Sequence, residues 1–255
     1  MPQLNVMAIS RASGLLLVVA CLLASPAAAQ EIPFPPYAVT AHPSQDGRCQ
    51  GDPGKADLDR SEKACLAQLV GIATRQSNTL RLKFKNGSSK AYRNRPDACD
   101  KGSDDCIEYT LTGYFPEHGL LLIAIGYYEG AEWMLVRLDN GRETKIVAPP
   151  HYSPDGKWLA SACWSEGPSS CRNGLDIVPT VPDKTAREWH YRPPNDDYLL
   201  FEFIGWDGGN RVNLTVTFHA NAQWQSDDLK TMPASVERVG VTWQLNLPSE
   251  YQPRS

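Results

Sequence analysis

The 255-residue chain carries 25 Lys and Arg against 29 Asp and Glu, a formal net charge of −4. That balance is too small and too mixed for a nucleic-acid binder, where a basic stripe is expected. With the first 29 of 255 residues set aside, 226 remain, a length that fits one large all-β domain or two ordinary ones, and one domain is the reading adopted.

Residues 1–29 read as a secretory signal peptide. Arg11 precedes the apolar run Leu15 to Ala24, and Ala27-Ala28-Ala29 follows in the A-x-A pattern of a cleavage site. The run is about half of what a helix needs to cross the roughly 30 Å hydrocarbon core of a bilayer. A rival reading takes Val18-Val19-Ala20-Cys21 as a lipoprotein box with Cys21 acylated, but few strongly apolar residues precede that cut. The expected location is the periplasm or the extracellular space. No later segment is long and apolar enough to span a membrane.

Residues 30–77 form an N-terminal arm and one helix. The arm is rich in Pro, Gly and polar residues. From Asp57 to Gln68, followed by Leu69-Val70-Gly71, the residues Leu58, Cys65, Leu66, Leu69 and Val70 share a face at helical spacing, and Gly71 supplies the stop.

From residue 78 to 248 the period changes to two. Leu80, Leu82 and Phe84 alternate with Arg81, Lys83 and Lys85, and Asn86-Gly87 supplies a turn. Further strands are predicted at Ile107 to Phe115, Leu120 to Tyr128, Trp133 to Leu138, Trp158 to Ala162, Leu175 to Val178, Tyr198 to Trp206, Val212 to Phe218 and Val236 to Leu247. The segments between them hold Gly, Pro, Asn and Asp in turn-forming order. Residues 249–255 are a C-terminal tail.

Seven cysteines become six once Cys21 is removed, and they fall into neighbouring pairs: Cys49 with Cys65, Cys99 with Cys106, Cys163 with Cys171. An even number in an exported chain points to disulfides, though six cysteines permit fifteen pairings and only short loop closure favours this one. No C-x-x-C occurs and the five histidines are scattered, so no metal site and no cofactor is expected. The pairs Asp104-Asp105, Asp196-Asp197 and Asp227-Asp228 lack the spacing of a calcium loop.

Similar text recurs at Y-F-P-E-H-G-L-L-L, Y-S-P-D-G-K-W-L-A and R-P-P-N-D-D-Y-L-L, centred on Pro116, Pro154 and Pro194, with a fainter copy at Pro233. The steps are 38, 40 and 39 residues, and I-G-Y-Y-E-G at 125–130 returns as I-G-W-D-G-G at 204–209. A repeat near forty residues with about four short strands is the pattern of propeller blades, each burying its faces against its neighbours. The expected fold is all-β and propeller-like, with about five short blades, possible incompleteness and a short N-terminal helix. A β-sandwich or other curved antiparallel sheet is the alternative.

At Trp133 to Leu138, Asp139-Asn140-Gly141-Arg142, Glu143 to Val147 and His151 to Ala160, the chain resembles the exported bacterial propeller repeats of the Tol-system and WD40-like families. It is also similar to a class of uncharacterised secreted bacterial proteins with a G-Y-Y-E-G turn. The resemblance implies a scaffold for protein or ligand contacts and transfers no catalytic residue.

Candidate ligand contacts are Tyr127, Tyr128, Glu129 and Trp133, with Trp206 and Asp207 at the repeated motif, because aromatic faces beside a carboxylate suit a sugar or a peptide. The competing account makes these residues strand-end packing and turn chemistry. No G-x-S-x-G elbow is present. The function expected is an exported, non-enzymatic binding module for an envelope protein or glycan. The alternative is a carbohydrate-active hydrolase using paired carboxylates at a propeller cleft, for which Glu108, Glu129, Glu202 and Asp207 are nominees. A third reading is a structural protein tethered through Cys21.

Overall fold

The computed structural model describes residues 49, 55–165, 171–181, 188–194, 198–219 and 228–251, with backbone only for 55–61. All belong to the unit that runs from Tyr37 to Ser255. The expected signal segment, most of the arm and the tail beyond Tyr251 lie outside the described residues.

Helix α1 (Lys55–Gln68) ends where Gly71 takes a positive φ of 80°. Cys65 and Leu69 are buried, but Val70 is 83 % exposed, against the expected helical face. The helix has already ended at Gln68, and the amides of Ile72 and Ala73 both turn back to the Leu69 carbonyl, which swings Val70 outward.

The rest is β. Strands β1 (Ala73–Gln76), β2 (Thr79–Lys83) and β3 (Ser89–Arg93) form a three-stranded sheet, so the β region begins five residues before the expected boundary at 78. A short helix α2 (Pro96–Cys99) follows. The second sheet is β4 (Glu108–Phe115), β5 (Leu120–Tyr127), β6 (Gly130–Arg137) and β7 (Glu143–Ile146). The third is β8 (His151–Tyr152), β9 (Trp158–Cys163), β10 (Gly174–Pro179) and β11 (Trp189–Tyr191). The fourth is β12 (Leu199–Asp207), β13 (Arg211–His219), β14 (Leu229–Val239) and β15 (Thr242–Asn246). All pairings are antiparallel between strands consecutive in the chain. The described residues thus give four sheets where about five blades were expected. The strand expected at Val236 to Leu247 is two, because Gly240 turns the chain at a φ of 64°.

Three apolar layers join the four sheets in order. Leu80, Leu82 and Tyr92 of the first sheet meet Leu121, Ile123 and Val136 of the second, with Cys65 and Leu69 of α1 in the same layer. The other face of the second sheet, Phe115, Leu122 and Leu135, packs on Leu159 and Val178 of the third. Trp158, Leu175 and Ile177 of the third then face Phe201, Leu214 and Phe218 of the fourth. Strand β5 is covered on both sides, and Leu120 to Ile125 are all buried, each large apolar side chain contributing about 2 kcal/mol.

The stack has two ends. One collects the turns at Pro116 and Pro154 and is called the proline end. There Leu138 N donates to Gly119 O at 2.8 Å, Lys85 N to Leu138 O at 2.8 Å, and Thr180 Oγ1 to Gly156 O at 2.7 Å. The buried Arg137 guanidinium crosses from the second sheet to Thr180 O at 3.3 Å. The opposite end holds the turn at Tyr128 and is called the tyrosine end.

The 151–160 stretch performs the expected turn chemistry. Ser153 Oγ donates to Asp155 Oδ1 at 2.7 Å and accepts from Trp158 N at 3.0 Å, Gly156 has a φ of 68°, and Trp158 enters the core. Burial alone raises the Asp155 carboxyl, but hydrogen bonds from Ser153 and Lys157 and the Lys157 charge outweigh it and hold the group below the usual carboxylate range. Pro116 and Pro154 both link the first strand of a sheet to its second. Pro194 lies between the third and fourth sheets at the tyrosine end, and Pro233 lies inside β14 opposite Thr215, so these two copies are out of phase.

Candidate ligand cleft at the tyrosine end

The six residues expected to bind ligand do not converge. Tyr127, Tyr128 and Glu129 sit at the tyrosine end of the second sheet, whereas Trp206 and Asp207 end β12 at the proline end of the fourth. The turn after Asp207 is fixed there by contact: a side-chain carbon added to Gly209 lies 2.6 Å from an Asp155 carboxylate oxygen. The length of β5 separates the two ends by on the order of 20 Å. The physical reason is strand order. I-G-Y-Y-E-G follows the second strand of its sheet and I-G-W-D-G-G the first, so the two turns face opposite ways.

Their environments differ as well. Trp206 donates its indole N–H to His151 O at 3.2 Å and packs edge-on to Trp243 in the third apolar layer. Trp133 is half-buried against the second layer. Tyr127 is half-buried, and its hydroxyl donates to Glu132 Oε2 at 2.9 Å. Burial raises the Tyr127 hydroxyl, and the hydrogen bond and charge of Glu132 add to it. Glu132 is also paired with Lys145. Asp207 and Glu129 are exposed. Tyr128 is 56 % exposed, and its ring covers Gly102, whose missing side chain makes room for it: a Cβ there lies 2.9 Å from the ring.

That contact leads to a cleft of about 520 Å³ that was not expected from the sequence. Its walls come from three segments: Asn78 in the turn between β1 and β2, Arg93 to Arg95 at the end of β3, and Asp97 of α2 with the following loop that bears Lys101 and Ser103. The Cys99–Cys106 disulfide closes that loop. Asn94 is fixed from both sides, its amide donating to Asn78 O at 2.7 Å and its Oδ1 accepting from Tyr109 N at 2.8 Å. Arg95 N donates to Ile107 O at 2.8 Å, so the backbone of the wall is held to the second sheet. At the rim Arg95 meets Asp105 at 3.3 Å, with both side chains mostly exposed.

The residues that line the cleft carry two guanidinium groups, an ammonium, amides and a hydroxyl, with Asp97 as one carboxylate among them. Such a set orients a polar or anionic ligand by charge-assisted hydrogen bonds. Tyr128 stands beside it as the one expected residue that the fold brings near. The signal for the cleft lay in Lys90-Ala91-Tyr92-Arg93 after Asn86-Gly87, a hairpin whose second strand buries only Tyr92.

Cys49–Cys65 and Cys163–Cys171 are also bonded. No group of three or more His, Cys, Asp or Glu among the described residues is placed to hold a metal ion, and no described helix is long and apolar enough to cross a membrane. Asp104-Asp105 is exposed, while Asp196-Asp197 and Asp227 lie outside the described residues.

No protein-family model matches the chain, and neither does any curated protein or solved structure.

Proposed function

We propose that the chain is an exported, non-enzymatic, propeller-like module of the bacterial envelope that binds a protein or glycan at its tyrosine end. The cleft carries this reading, since it joins polar residues from three segments, and the half-exposed Tyr128 packs on Gly102 between two lining residues, Lys101 and Ser103. Aromatic and arginine side chains are the usual anchors of a binding surface. The propeller description is supported by the second, third and fourth sheets, each a four-strand meander, whose first strands all run toward the proline end and whose faces pack in succession. The hydrolase alternative needs two carboxylates facing each other across a cleft, and the lining here includes one.

The test is a panel of envelope glycans and purified envelope proteins probed with the oxidised protein and with Arg93→Ala, Arg95→Ala and Tyr128→Ala. A bound panel member whose affinity falls about tenfold in the cleft variants supports the proposal. A bound member that ignores all three variants, or turnover of a glycan by the wild-type protein, overturns it.

A further inference from the structure

Between Glu62 and Asp97 the sequence holds eight Lys and Arg and no acid, in a chain with 29 acidic residues overall. Antiparallel pairing sorts these cations by face. Leu80, Leu82 and Tyr92 point into the first apolar layer. Arg75 and Lys90 share their side of the sheet and are neutralised by Glu62 and Glu143. The outward face carries Arg81, Lys83 and Arg93, all exposed, and none of these three forms an ion pair among the described residues.

The register sets their spacing. Thr79 pairs with Arg93, Arg81 with Ala91 and Lys83 with Ser89. Arg81 and Lys83 are therefore about 7 Å apart along β2, and Arg81 and Arg93 are diagonal neighbours at roughly 7–8 Å. A row of like charges at that spacing repels itself, and no acid among the described residues of this face relieves it. Between the cations stand short neutral groups such as Thr79 and Ser89, and the largest apolar side chain on the face is Ala91.

We infer that this outward face of the first sheet binds a linear acidic polysaccharide. The cations match its repeating anionic groups, and the hydroxyl side chains match its sugar hydroxyls. The described residues of the face offer no aromatic platform on which bases stack and no large apolar side chain to enter a bilayer. Arg93 also lines the cleft, so a chain lying on the face can reach that opening. The inference shares the partner class of the binding-module reading but rests on Arg81 and Lys83, which lie outside the cleft lining.

The test passes the oxidised full-length protein over immobilised polygalacturonate, dextran sulfate and neutral dextran. The variants are Arg81→Gln with Lys83→Gln, both outside the cleft lining, and Lys230→Gln on the fourth sheet as a charge control. Expected is retention on both polyanions and not on dextran, elution by about 0.5 M salt, and a loss of roughly tenfold in affinity in the double variant, with the Lys230→Gln control unchanged. Equal loss in Lys230→Gln, full retention of the double variant, or no wild-type retention at low salt overturns the inference. So does binding confined to phosphatidylglycerol vesicles, or a double variant that self-associates with polysaccharide affinity intact, which would make the charges a guard against sheet stacking.

Discussion

Asp176 and Arg192 are joined by two hydrogen bonds, at 2.8 and 3.0 Å, with Asp176 wholly buried in the middle of β10. The same carboxylate accepts Val147 N at 2.9 Å, and Arg192 also donates to Leu175 O at 2.8 Å. One buried anion thus holds the chain leaving β7 and the chain leaving β11. Removing one partner of a buried pair strands the other, so Asp176→Asn is expected to lower stability by about 3 kcal/mol. Urea unfolding checks this, and a double-mutant cycle with Arg192→Ala should show strong coupling between the two residues.

Burial holds the His118 imidazole below its ordinary value of 6.5, with Glu117 opposing the shift and Arg137 adding to it. A group whose folded pKa is depressed contributes stability that is complete above the unfolded value and is lost as pH falls through the folded one. The protein should therefore lose stability on acidification below about 6.5, and His118→Asn should flatten that part of the curve. Thermal midpoints across the range from about pH 7.5 to 5 read the difference.

Gly141 has a φ of 77°, and a Cβ there lies 2.5 Å from the ring of the buried Phe84. Gly141→Ala should cost about 1–2 kcal/mol, from backbone strain and from displacing that ring. Combining it with Phe84→Ala should remove the steric part, so the two costs will add to more than the double variant shows in denaturant titration.

Cys49 and Cys65 are both buried, and their bond closes a separation of 16 residues. Replacing both with Ala should lower stability by about 3 kcal/mol. The comparison is an unfolding curve of the variant under oxidising conditions against the wild type with and without reductant.

Where burial alternated cleanly along the chain, the strands could be read in advance. Leu80 and Leu82 are buried on one side of β2, and β13 alternates through all nine residues. Strand β3 escaped notice because only Tyr92 of its five residues is buried, and β11 because it has three residues. Val236 to Leu247 read as one strand because Val239 and Val241 are apolar, yet both are exposed around the turn at Gly240. The site was harder still. Similar words in the sequence revealed nothing about which strand of a sheet they followed, and Asn78, Arg93 and Lys101 became neighbours only through the pairing of β2 with β1 and with β3 and the bridged loop behind them.

Among the described residues every sheet is made from strands that follow one another along the chain, and the apolar layers between sheets join consecutive ones. Contacts of this kind close early, because little chain must be looped out before they form. A polypeptide delivered N-terminus first can seal the layer between its first two sheets once Ile146 has emerged, while the fourth sheet is still to come. This topology permits vectorial assembly, in which the surface awaiting a partner at each stage is one sheet face.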